Sequence, residues 1–161
     1  MILGLSFVQF TFLHVFLSLV GIGAGIFVVW GLLTSRRLRI LTDLFLVTTL
    51  FTSLTGFFFP FKGVTPGIVI GILSVIALLL AIVALYVQKL AGPWRAVYVV
   101  SMFAAYYFNF FVLVAQAFNK VPELKNAAPT MTSPVFGTIQ IVVLIIFILL
   151  TYRAYKKFKP A

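Results

Sequence analysis

Five apolar runs dominate the chain, at residues 7–33, 41–59, 66–88, 93–118 and 134–152. A helix rises about 1.5 Å per residue, so a hydrocarbon layer of about 30 Å needs roughly 20 residues. Each run meets or approaches that length. Transmembrane strands would be about half as long and would alternate strictly between apolar and polar positions. These runs do neither, and they predict an all-α membrane protein: one transmembrane domain over residues 1–161, built as a bundle of five helices. Composition agrees, with 63% of the 161 residues hydrophobic and 9% charged. Soluble domains run near half apolar and about a quarter charged. The first run lacks the basic leader and small-residue cleavage site of a signal peptide and is expected to remain as a helix. Pro66, Pro93 and Pro134 stand where a first-turn proline costs little. Pro60 closes the second run, because a proline cannot continue a helix without losing a bond.

The formal net charge is +10. Its basic residues form short clusters between apolar runs rather than one folded face. That pattern argues against nucleic acid and for orientation in a membrane with anionic headgroups on one side. Nine of the twelve Lys and Arg residues fall in loops and tails on one side of a five-span topology; Lys62, Lys120 and Lys125 fall on the other. The richer side is the expected cytoplasmic one. The N-terminus is then outside, the C-terminus cytoplasmic, and the location a cell inner membrane. Arg36, Arg37, Arg39, Arg95, Lys156 and Lys157 form the expected cytoplasmic anchor, with Trp30, Trp94, Tyr152 and Tyr155 as its aromatic belt. The loop 119–133 is expected to follow a fixed, turning path, as a plain connector or as a cover over the outer mouth.

Several chemistries fail on inventory. No cysteine is present, which excludes disulfides, thiolate metal sites and iron–sulfur clusters. Zinc lacks its ligand count. Ser18 lies one turn from His14, but no acid is placed to complete a triad. Asp43, in the first turn of the second helix, complements the helix dipole and is expected to pair locally with Arg39 and Arg36. Gly21, Gly23 and Gly25 resemble a phosphate loop, yet they lie inside an apolar helix with no preceding strand. Gly21 with Gly25, and Gly67 with Gly71, read instead as small-residue pairs that let helices approach. Their partner is another run or a second copy of the chain.

Converting polar residues to height along each helix gathers them at one level. Gln9, Thr11 and His14 lie in the outer half of the first helix, and Thr52, Ser53 and Thr55 in that of the second. Asn109 and Gln116, seven apart and so on one face, lie in the outer half of the fourth, and Gln140 in that of the fifth. Tyr106 and Tyr107 lie near mid-span. One interhelical hydrogen bond contributes about 0.6 kcal/mol in membranes, so stability explains this cluster only weakly. The alternatives are a polar pocket and a structural network. The expected ligand-binding set is His14, Thr52, Thr55, Tyr106, Asn109, Gln116 and Gln140. Haem on His14, the single histidine, is the sharpest cofactor reading. Met102 lies about 10 Å away along the membrane normal by helix rise, too far to complete an axial pair, so only five-coordinate haem is left.

The stretches 13–15 (LHV), 52–61 (TSLTGFFFPF), 90–95 (LAGPWR) and 98–100 (YVV) resemble a group of small bacterial inner-membrane proteins. So do Asn109, 111–114 (FVLV), Gln116, 120–122 (KVP) and 128–130 (APT). The resemblance covers nearly the whole chain. The group is uncharacterised, so the resemblance implies a bacterial inner-membrane location and no activity or cofactor.

Three functions follow as expectations. The first is a non-enzymatic accessory protein that offers an outward-facing polar pocket to a small lipophilic ligand or a partner helix. The second is a haem- or quinone-associated redox subunit using His14. The third is a small oligomeric transporter, disfavoured by the lack of an inverted repeat and of a buried acid to couple ions.

Overall fold

The computed structural model of the chain describes residues 1–60, 63 and 65–159. Its helices are α1 (Phe7–Leu33), α2 (Arg39–Gly56), α3 (Pro66–Ile82, continued by a π-turn at Val83–Val87), α4 (Trp94–Lys120), α5 (Pro122–Ala127) and α6 (Pro134–Lys157). The other pairing among the described residues is one isolated bridge between Ile2 and Leu5. The protein is all-helical. Among the described residues four segments are long and apolar enough to cross a membrane: α1, Pro66–Val87, α4 and α6. One further helix, α5, is a short one inside the 119–133 connector. Phe61 and Lys62, quoted above, lie outside the described residues.

Local chemistry sets the helix ends. Ser6 and Gln9 form a capping box: the Gln9 amide donates to Ser6 Oγ at 3.2 Å and the Ser6 amide to Gln9 Oε1 at 2.9 Å. Two of the orphan donors at the start of α1 are thus satisfied. Thr65 caps α3 ahead of Pro66, and α6 likewise opens on Pro134. At its far end α1 closes with the Arg36 amide donating to the Gly31 carbonyl at 2.8 Å, and Ser35 in the left-handed region at φ 58°. A Cβ on Gly31 would lie 2.7 Å from the Arg36 carbonyl oxygen. Only glycine admits this turn.

Packing runs α1 on α2, α2 on α3, α3 on α4 and α4 on α6, with α1 also meeting α4 and α6. The tightest approach is made by α1. A Cβ on Gly21 would lie 2.8 Å from Thr49 Oγ1, and a Cβ on Gly25 would enter the Tyr106 ring. Gly71 abuts the Phe57 ring, with Cε1 3.0 Å from the Cβ position. Gly67 meets only Thr65 Oγ1, at 3.7 Å, and Gly23 faces open space. Around Tyr106 the core is aromatic, with Phe45, Phe110 and Phe147 at centroid distances of 5.9, 6.2 and 5.4 Å.

The distribution of polarity is inverted relative to a soluble fold. Helix α2 shows it best. It buries Thr42, Thr48, Thr49, Thr52 and Ser53 and exposes Ile40, Leu44, Val47, Phe51 and Leu54. Its hydroxyls turn back on the helix: Thr48 donates to the Leu44 carbonyl at 2.7 Å, Thr52 to Thr48 at 2.8 Å and Ser53 to Thr49 at 3.0 Å. The polar residues that lower the apolarity of α2 therefore sit mostly on its inner face.

At the end of the bundle that holds the α1–α2 turn, the C-terminal tail is strapped down. Arg95 donates to the carbonyls of Tyr155 at 2.9 Å and Phe158 at 2.6 Å. The Lys159 amide donates to Ser35 Oγ at 2.8 Å, and Phe158 is fully buried against Tyr98. The basic residues here lie over aromatic rings, Arg36 on Trp30 (5.8 Å), Arg95 on Tyr155 (5.4 Å) and Lys156 on Tyr152 (5.6 Å). Asp43 corrects an expectation. Its hydrogen-bond partner among the described residues is the Tyr86 hydroxyl on the π-turn of α3, not a guanidinium of its own segment. The π-turn widens α3 and brings Tyr86 to α2, a long-range contact that local spacing does not encode.

The glycine contacts separate two neighbouring positions. Gly25→Ala should destabilise the protein by about 1–3 kcal/mol through overpacking against a buried ring. Gly23→Ala should be neutral or slightly stabilising through helix propensity. Thermal unfolding of both variants in one detergent checks the contrast.

Candidate functional site

Away from the strapped end, the helices part above the close approach at Gly21. A cavity of about 500 Å³ opens between α1, α2, α3 and α4. Each helix contributes polar side chains: Thr11, His14 and Ser18 from α1; Thr52 and Ser53 from α2; Ser74 from α3; Asn109, Gln116 and Lys120 from α4. The remaining wall is glycine, aliphatic and aromatic, including Val15, Ile70, Phe108, Val112 and Leu113. Small-molecule sites are typically about 300–1,000 Å³, mostly apolar, with a few placed polar groups. Phe7 to Ser18 on α1 and Asn109 to Lys120 on α4 each span a depth of about 16 Å by helix rise.

The floor is a bond between helices: Ser18 Oγ donates to Asn109 Oδ1 at 2.9 Å. Just below it the Tyr106 hydroxyl donates to the Ile22 carbonyl at 3.2 Å, tying α4 to α1 a second time. The mouth lies at the first turns of α1 and α3 and the last turn of α4, where Phe7, Gln116 and Lys120 are exposed. Phe59 caps one wall, with its ring edge-on to Phe7, Phe10 and His14 at 5.9, 5.1 and 5.1 Å. Neither α6 nor residues 121–133 reach the cavity. The connector packs on α4 and α6 instead, with Ala128 buried beside Phe118 and Phe136.

His14 is held by α2, with Nδ1 2.9 Å from Thr55 Oγ1. The Thr55 hydroxyl already donates to the Phe51 carbonyl at 2.7 Å. The Thr55 hydroxyl thus joins the imidazole to the backbone of α2, and His14 Nε2 has no partner among the described residues. Ser53 and Ser74, with oxygens 3.0 Å apart, satisfy each other across α2 and α3. Asn109 is 6% exposed, and among the described residues its Nδ2 has no hydrogen-bond partner, nor does Thr49 Oγ1. Both flank Gly21, at 3.3 and 2.8 Å from its Cβ position.

Of the residues expected to form a site, the structure brings His14, Thr52, Asn109 and Gln116 to one cavity. Thr55 stands behind His14 and orients it. Tyr106 lies beneath the floor in the aromatic core, and Gln140 donates to the Phe111 carbonyl at 3.2 Å on the far side of α4. Gln9, grouped with them by height, is used in the cap of α1. The sequence reading missed Ser18, Ser74, Phe59 and Lys120 as wall residues. The spacing 7–11–14–18 on α1 is a helical stripe that would have found Ser18. Among the described residues no group of three or more His, Cys, Asp or Glu could hold a metal ion. Met102 is buried in the core below the cavity, among Gly25, Val28 and Tyr106, and does not face His14.

Compared with protein-family models, curated proteins and solved structures, the chain matches none.

A double-mutant cycle on His14→Ala and Thr55→Ala should give a coupling energy near the membrane average of about 0.6 kcal/mol. Unfolding in detergent or bicelles measures it. A coupling of zero would mean that the two side chains do not hold each other.

Proposed function

We propose that this chain is a bacterial inner-membrane protein of five spans, and that it is a non-enzymatic accessory protein holding a small lipophilic ligand in its outward-facing cavity. The observation that carries the reading is the cavity itself: about 500 Å³, with apolar walls and polar side chains from four helices bordering it. A structural network would close on itself and leave no room; here the polar groups border space. The fifth span is α2. Its outward face is apolar from Ile40 to Leu54, and its 18 residues cover about 27 Å by helix rise. With five spans, the strapped end carrying Arg36, Arg37, Arg39, Arg95, Lys156 and Lys157 is the cytoplasmic end, lying on anionic lipid. The N-terminus and the cavity mouth then face outward. The resemblance to small bacterial inner-membrane proteins supports the same location.

The lack of cysteine makes the topology directly testable. Single variants Ser35→Cys and Asn126→Cys should label from opposite sides of sealed vesicles with an impermeant maleimide, Asn126→Cys from outside. Labelling of both from one side would refute five spans. Ligand holding is tested with Gly67→Phe. Gly67 lines the cavity, and a Cβ there meets only Thr65 Oγ1, at an ordinary contact distance of 3.7 Å, so a ring there should fill the site and leave the fold intact. Native mass spectrometry of the parent should show a retained lipophile that Gly67→Phe loses, with unchanged thermal unfolding of the delipidated forms. Equal retention by both would remove the cavity from the reading.

A further inference from the structure

Among the described residues the cavity lining carries a single formal charge, and it sits at the mouth. Resting on the reading that the cavity holds a ligand, we infer that the ligand is a single-chain amphiphile with an anionic head, its chain inside the cavity and its head on Lys120 and Gln116. Lys120 is the one charged side chain in the described lining. The chain has two acidic residues. Asp43 bonds to Tyr86 at the basic end, and Glu123 stands exposed on α5, outside the lining. No carboxylate of the described wall therefore neutralises the Lys120 ammonium. Gln116 lies one turn before Lys120 on the same face of α4, and both are exposed. An ammonium and an amide N–H donor side by side suit one anionic head. At the mouth the head keeps much of its water, so the cost of burying a charge does not arise. A cationic head there would meet Lys120 as a like charge.

The wall below the mouth suits a hydrocarbon chain. Phe59, Ile70, Phe108, Val112 and Leu113 give it aromatic and aliphatic surface. The hydroxyls among them already have partners. Thr11 donates to the Phe7 carbonyl at 2.8 Å, Thr52 to the Thr48 carbonyl at 2.8 Å and Ser18 to Asn109 Oδ1 at 2.9 Å. Ser53 and Ser74 hold each other at 3.0 Å. These bonds stay in place beside an alkyl chain, so the chain strips none of them of a partner. Size fits one chain. The depth of about 16 Å by helix rise takes about a dozen carbons, at roughly 1.2 Å per bond of an extended chain. At about 30 Å³ for a group the size of a water molecule, the cavity of about 500 Å³ has room for one such chain and not for two. Phe7 and Val15 belong both to the cavity wall and to the outer surface of α1, which gives the chain a route in from lipid while its head stays at the mouth. Two sources carry this chemistry, a fatty acid with its carboxylate and a lipid phosphate with one chain.

The experiment offers the full chain an equimolar mixture of dodecanoate, dodecyl phosphate, dodecanol and dodecyltrimethylammonium. The protein is first delipidated in a neutral two-chain detergent too bulky for the cavity. Native mass spectrometry reads which amphiphile is retained. At low salt at least one anion should be retained about fivefold over dodecanol, the upper range for one exposed ion pair, and further over the cation. High salt should shrink that excess. The anion retained more identifies the head as carboxylate or phosphate. Lys120→Gln should erase the excess, and Lys120→Glu should move it to the cation, with unfolding temperatures unchanged because the side chain is exposed. His14→Leu, deeper in the wall, should leave the excess in place, and Gly67→Phe should lose all four amphiphiles. Retention of dodecanol or the cation as strong as that of both anions, or an excess that survives Lys120→Gln, would overturn this inference and leave the ligand-holding cavity standing. Retention of none of the four, together with no lipophile on the native protein, would overturn both.

Discussion

The contact on which the bundle depends is the approach of α1 to α2 and α4 at Gly21 and Gly25. There the backbone of α1 lies against Thr49 on one side and the ring of Tyr106 on the other, with no room for a methyl group. In a bilayer, apolar surface alone does not drive helices together, because lipid tails are as apolar as leucine. Close packing of small residues has to hold the helices. One turn above Gly21 the side chains grow to Ser18 and then His14, and the helices separate by what those side chains occupy. The Ser18–Asn109 bond is the last direct hydrogen bond between α1 and α4, and the cavity begins at that level. Pinning below and spreading above are two consequences of one change in residue size along a single face.

The same environment explains why so many hydroxyls can sit inside. A buried hydroxyl without a partner is costly, yet a helix offers each Ser or Thr a carbonyl one turn back. Thr11, Thr48, Thr52, Ser53, Thr55 and Thr151 all take that option. The polar stripe of α2 therefore needs little from its neighbours to be stable. It remains available as an acceptor surface, with its protons already used.

Height along the membrane was legible in the sequence; direction around each helix was much less so. Counting residues from the ends of the runs put His14, Thr52, Asn109 and Gln116 at one level, and these four do share a cavity. The same count put Gln140 and Tyr106 close to that level. Gln140 points to the Phe111 carbonyl on the α4–α6 side, and Tyr106 falls just below the floor. Rise per residue is fixed by helix geometry, whereas azimuth depends on which neighbour each face meets. Asp43 failed for a related reason. Its nearest partners in sequence were arginines, but the π-turn of α3 delivers Tyr86 to it across 43 positions. The inner hydroxyls of α2 blurred its apolar signal, since a mean over a helix cannot tell a buried polar face from an exposed one.

The two ends of the bundle are built on opposite principles, and that asymmetry bears on how a ligand could move. At the basic end Phe158 is fully buried, Arg95 holds two carbonyls of the tail, and Ser35 clasps Lys159 from a strained left-handed turn. The α1–α2 turn and the start of α4 are both tied to the C-terminal tail. At the other end α1 and α4 diverge above Ser18–Asn109, Phe7 and Val15 are at once cavity wall and outer surface, and Gln116 and Lys120 stand exposed. A molecule entering between these helices need not break a packed core or open the strapped end. The fixed end resists the splaying that occupancy would otherwise cause. Holding a ligand at one face of the membrane, rather than passing it across, is what such a one-ended construction favours. The aromatic core of Phe45, Tyr106, Phe110 and Phe147 closes the path beneath it.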